Sequence, residues 1–209
     1  MAVDLTDRAD AAVFLRRLLR LDPATLVRLR PAGAGRVALW APLPWGVLVT
    51  RTVAGTVDRD RVAAASALLE GSTEPAVRDA DWRGALPPQR QTPVERLPAA
   101  VISGAAAAAA QALREVTAEG LHGRAVGQRM LRDALLDHVA VSGVSDVDGV
   151  PFAVPQRLVQ ALVQMGFLGT AEVTVVTAGP WTGLAGSYGT AWFRTPTLAV
   201  RPIVPSTIR

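Results

Sequence analysis

The 209-residue chain has no cysteine, no lysine and no asparagine, one tyrosine and two histidines. Without cysteine there is no disulfide framework, no thiol nucleophile and no thiolate metal site. His122 and His138 are too few for an imidazole-rich metal centre or a proton relay. Without asparagine no N-glycosylation sequon exists. No apolar run approaches the roughly 18 residues of a membrane span. The first ten residues carry Asp4, Asp7, Arg8 and Asp10, unlike a secretory leader. These absences point to a cytoplasmic protein that needs no membrane, metal or cofactor and is not an enzyme. They do not imply disorder, because hydrophobic residues make up 50% of the chain and charged ones only 19%.

All 22 basic residues are arginine, against 18 acids, for a net charge of +4. Alanine, arginine, glycine, valine and proline stand where AT-rich codons would place other residues, the mark of a high-GC genome. Arginine keeps its proton throughout the useful pH range, so this small excess raises the isoelectric point to about 11. The excess is local. Residues 1–61 hold ten arginines and six acids, whereas residues 62–209 hold twelve of each. Such a field can recruit phosphate or an acidic partner, or it can be a solvated face written in an arginine-rich codon set.

The pattern of elements predicts an α+β fold of short antiparallel β-meanders packed on helices, in two units. Residues 1–70 form the first. A helix capped by Asp7 or Asp10 runs to about Arg20, with Val13, Phe14, Leu18 and Leu21 on its apolar stripe. Strands over 26–30, 36–40 and 45–53 follow, and a helix over 59–69 closes the unit. In the first strand Arg28 and Arg30 alternate with Val27 and Leu29, which lines one sheet face with arginine. Residues 71–98 are a Pro-rich connector, pinned by Trp82 and Leu86. Residues 99–209 form the second unit: helices over 99–119, 124–138 and 155–165, a loop over 142–151, and strands over 172–177 and 188–195. The last helix opens at Pro155 and closes at Gly166. Each unit has a helix, a strand ending in Ala-Gly, a Trp-containing bend and a strand ending in Arg-Thr, consistent with a degenerate internal repeat.

Three motif matches lack their structural setting. Gly33-Ala-Gly35-Arg-Val-Ala38 fits a dinucleotide pattern, but no helix follows it, so a hairpin turn explains the glycines. Gly183-Leu-Ala-Gly186 fits the G-x-x-G loop of a nucleic-acid module but is uncharged. Asp146-Val-Asp148-Gly149 opens like a calcium loop and lacks the remaining ligands. His122 with Glu119, or His138 with Asp133 and Asp137, could form an acid–base pair, although a histidine near a helix end usually serves the last carbonyls.

The order of elements over 124–195 resembles the second half of a winged-helix domain, with 155–165 as recognition helix and 178–188 as wing. On that helix Gln156, Gln160 and Gln164 recur every four residues beside Arg157, a row able to contact base edges of double-stranded DNA. The neutral wing offers no phosphate grip, so Arg16, Arg17, Arg20, Arg28 and Arg30 of the first unit would supply phosphate contacts. Alternatively Trp181 and Tyr188 anchor a protein partner or a second copy of the chain, since such residues dominate interface hot spots. A third reading is a small-molecule-binding or hydrolytic domain with its pocket between the units. The runs Trp82-Arg-Gly-Ala-Leu-Pro-Pro88, 154–169 and Gly179-Pro-Trp…Tyr188-Gly189 resemble a family of uncharacterised actinobacterial proteins across most of the chain. That resemblance implies no activity, cofactor or site residue.

Overall fold

A computed structural model describes residues 3–119, 128–145 and 149–195, with side chains left aside for 116–132. Strand β1 (Val3–Asp4) precedes helix α1 (Arg8–Leu21), which the Asp7 carboxylate caps by accepting from the Asp10 amide. Strands β2 (Leu26–Pro31), β3 (Arg36–Pro42), β4 (Leu48–Ala54), β5 (Thr56–Val57) and β6 (Arg61–Ala64) follow, and a short helix α2 (Ala65–Leu69) ends the run. A connector leads to β7 (Thr92–Leu97). Then come α3 (Ala99–Glu119), α4 (Gln128–Asp137), β8 (Val139–Val144), β9 (Pro151–Pro155), α5 (Gln156–Gln164), β10 (Val173–Ala178), β11 (Trp181–Gly186) and β12 (Gly189–Arg194).

Eight strands make one antiparallel sheet in the order β6-β2-β3-β4-β12-β11-β10-β7. The order is mirrored about the β4–β12 pair, so helix plus three-strand meander occurs twice, as α1–β2–β3–β4 and as α5–β10–β11–β12. Alternation along each strand sends Val27, Leu29, Leu39, Val49, Val175 and Leu184 to one face. There they bury against Phe14, Leu15 and Leu18 of α1 and Leu158 and Leu162 of α5. Phe14 stacks on Phe167 with ring centres 6.1 Å apart, tying the first helix to the second meander. The opposite face carries a smaller cluster of Leu48, Val176, Trp181 and Trp192, which Trp40 and the connector residues Trp82 and Leu86 cover.

Both edges of the large sheet are occupied in part. On β6 the Val62 amide donates to the Asp79 carboxylate and its carbonyl accepts from the Arg78 amide. On β7 the Val94 carbonyl accepts from the Ser145 hydroxyl, the Arg96 amide donates to Glu95, and Pro93 has no N–H.

The antiparallel meanders and the helices packed on them are as the sequence implies. Four local expectations are corrected. Residues 61–64 are a strand paired with β2, and only 65–69 are helical. Residues 92–97 of the connector form edge strand β7. The loop over 142–151 belongs to the β8–β9 hairpin, apart from 146–148, which lie outside the described residues. The supposed wing is β11, an interior strand paired on both sides with β10 and β12. Its glycines permit close packing. A Cβ on Gly183 would lie 2.7 Å from the Trp192 ring, and one on Gly186 would strike the Phe167 carbonyl. The winged-helix reading therefore fails, because a wing must be free to leave its sheet.

Candidate functional site

The arginines expected on β2 share the sheet face away from the helices, but they are spent. Arg28 makes a two-pronged contact with Asp60 at 2.7 and 2.8 Å, and Arg30 reaches the same carboxylate at 3.0 Å. The Arg28 guanidinium also sits 5.8 Å from the centre of the Trp82 ring. The hydrogen bond to Asp60 holds the Arg28 pKa above its ordinary value. A phosphate would have to displace this internal counter-ion.

The α1 arginines differ. Arg17 donates to the Gln164 carbonyl at 3.2 Å, closing the C-terminus of α5. Arg16 and Arg20 lie four residues apart on the exposed side of α1, and neither has a partner among the described residues. Arg51, which in the sequence marks only the Arg-Thr end of a strand, is the pin between the meanders. It pairs with Asp10, donates to the Tyr188 carbonyl at 2.9 Å and lies 5.6 Å from the Tyr188 ring centre. Tyr188 is exposed, whereas Trp181 is buried in the outer-face cluster and offers no anchor to a partner.

The glutamine row does share one side of α5, but that side is not open to a groove. Gln156 is only 4% exposed, Gln160 is half-buried and Gln164 is exposed. α5 is packed by α3 and α4 and lies on β11 and β12, so it cannot enter a DNA major groove. Arg157 is a cross-link rather than a base contact. It donates to the Trp45 carbonyl at 2.8 Å, pairs with Asp137 and stacks 4.4 Å from the Phe193 ring. Trp45 in turn donates to the Arg157 carbonyl at 3.3 Å. Trp45, Leu21, Leu113, Leu135 and Leu136 face the glutamines across a cleft of about 470 Å³, with Arg20 also on its lining. The sequence marks the glutamines by their spacing. It gives no sign of the opposite wall, which comes from four separate segments.

His138 is exposed, and its neighbour Asp137 pairs with Arg157 instead. His122 lies outside the described residues. Among the described residues no three His, Asp or Glu side chains gather to hold a metal ion. No described helix is long and apolar enough to cross a membrane.

Residues 86–198, more than half of the chain, match the model of a domain of unknown function, DUF8185. The chain belongs to the DUF8185 family. Ahead of the DUF8185 match, residues 2–91 fit a second domain of unknown function, DUF8010, and the two stretches meet inside the connector. No protein of curated function matches the sequence. Solved structures do share the fold. The Helicobacter pylori beta clamp in complex with 5-chloroisatin aligns with TM-score 0.54 and 12% identity over 99% of this chain and 66% of its own. The Bartonella birtlesii sliding clamp, DNA polymerase III subunit beta, aligns with TM-score 0.58 and 12% identity over 97% and 66%. A putative DNA polymerase III beta subunit from Eubacterium rectale aligns with TM-score 0.60 and 10% identity over 97% and 67%. This DUF8185 chain thus spans about two thirds of the length of the clamps it is similar to. At such identity the likeness is one of fold.

Proposed function

We propose that this protein is a cytoplasmic, non-enzymatic binding module that associates with double-stranded DNA through its helix layer. The observation that carries the reading is the Arg16–Arg20 pair, exposed on α1 and without a counter-ion among the described residues, in a chain with the fold of the sliding clamps. DNA affinity comes mainly from neutralised phosphates, and arginines already paired add little to it. The contact surface is therefore α1, not the β2 arginines or the glutamines of α5. The test is fluorescence anisotropy with a labelled random duplex over a salt series. Binding should weaken linearly in log–log form. Arg16→Gln and Arg20→Gln should each lower the salt slope by about 1, while Arg28→Gln leaves it unchanged. No binding at roughly 50 mM salt overturns the proposal.

A second reading rests on the β8–β9 hairpin, where Val139, Val144 and Val150 are 46%, 61% and 53% exposed. These valines suit a protein partner or a second copy. Sedimentation of the Val144→Asp variant against the wild type separates self-association from the DNA reading.

A further inference from the structure

The cleft beside α5 has a polarity gradient whose apolar wall and buried end DNA association does not use. We propose that it binds an elongated small molecule, a medium-chain carboxylate bearing a second oxygen at its far end. Four observations combine. The cavity, about 470 Å³, falls in the range of about 300–1,000 Å³ typical of small-molecule sites. Its long wall is apolar, formed by Leu21, Leu113, Leu135 and Leu136. Among the described residues Arg20, which is exposed, is the only charged one on its lining, so an anion is favoured there and a cation is not. At the other end Gln156 is buried, and its Nε2 has no hydrogen-bond partner among the described residues.

Burial along the glutamine row rises from Gln164 through Gln160 to Gln156. Eight helical residues separate the ends, a rise of about 12 Å, which suits a chain of about ten carbons. The carboxylate meets Arg20 at the mouth, the methylenes lie along the leucines, and the distal oxygen accepts from Gln156 Nε2. A buried amide donor left unpaired is unusual, and an acceptor brought by a ligand resolves it. The Trp45–Arg157 pair fixes the loop that carries Trp45, so that part of the wall is formed before anything binds.

The test is isothermal titration of the full chain, without DNA, using 10-hydroxydecanoate, decanoate and decylammonium. The hydroxy acid should bind about tenfold tighter than decanoate, the effect of one added hydrogen bond, and decylammonium should not bind. Gln156→Leu should erase the preference for the hydroxy acid and raise Tm, because it removes an unpaired donor. Arg20→Gln should weaken both acids about tenfold. Arg20 is exposed, so this variant keeps the fold even if the Gln156 variant does not. Equal binding of decylammonium, binding indifferent to both substitutions, or no heat from any probe at roughly 1 mM overturns the proposal. So does a Gln156→Leu variant that folds with a lowered Tm, which would mean that ordered water already satisfies the amide.

Discussion

The two meanders of the sheet share a strand order and solve opposite packing problems. In the first, β2 and β3 keep regular alternation, and their outer face carries Arg28 and Arg30, which share Asp60, with Trp82 against Arg28. In the second, β11 gives up side chains at Gly183 and Gly186, so that Trp192 and the Phe167 backbone can approach it. One meander handles its outer face with charge pairing, and the other packs closely on both of its faces. They meet through the short β4–β12 ladder, reinforced by Arg51 and by the Phe14–Phe167 stack.

The largest test of that junction is Phe14→Ala. Phe14 is 1% exposed, and its loss should cost about 3–5 kcal/mol. Because its ring touches the other meander, calorimetry should still show one transition at a lower Tm. Two transitions would mean that the meanders fold independently. Next in size is the contrast between two glycines. Gly186→Ala forces a Cβ onto a backbone carbonyl and should cost about 1–3 kcal/mol. Gly33→Ala, in the open β2–β3 turn at φ +96°, meets only backbone strain and should cost about 1 kcal/mol in urea unfolding. Equal losses would remove the claim that close approach distinguishes the second meander.

Arg51→Met should cost about 2 kcal/mol, since Arg51 is largely buried and serves both Asp10 and the Tyr188 carbonyl. A double-mutant cycle with Asp10→Asn isolates the ion pair. The smallest effect belongs to Arg30→Gln. Both partners are about one third exposed, so solvent screening should leave a loss of under about 1 kcal/mol.

Regular alternation was legible in the sequence. Arg28 and Arg30 against Val27 and Leu29 gave β2 and its polar face, and the Pro155 and Gly166 bounds gave α5. Gly33 and Gly35 were readable as a turn because their positive φ angles are local to the hairpin. β11 was hidden, since glycine lowers strand propensity, and the reason for it there, the Trp192 ring, lies on another strand. β7 was hidden behind Pro93, which an edge strand tolerates. The site was half legible. Spacing put three glutamines on one side of α5, yet whether that side meets solvent or a leucine wall depends on α3 and α4, which pack against it only in the folded chain. The charge count located the basic region but could not separate arginines with a carboxylate beside them from those without, because Asp60 is thirty residues or more from its partners.

The partly occupied edges of the large sheet limit how copies of this chain can join. With the outward groups of Val62 satisfied by residues 78–79, and those of β7 by Ser145 and Glu95, a neighbouring strand finds few main-chain bonds to make. At these positions of the large sheet a side-chain contact is favoured over strand addition, and the helix layer and the valine hairpin both offer one. Such a contact can be made and broken without opening the eight-stranded sheet.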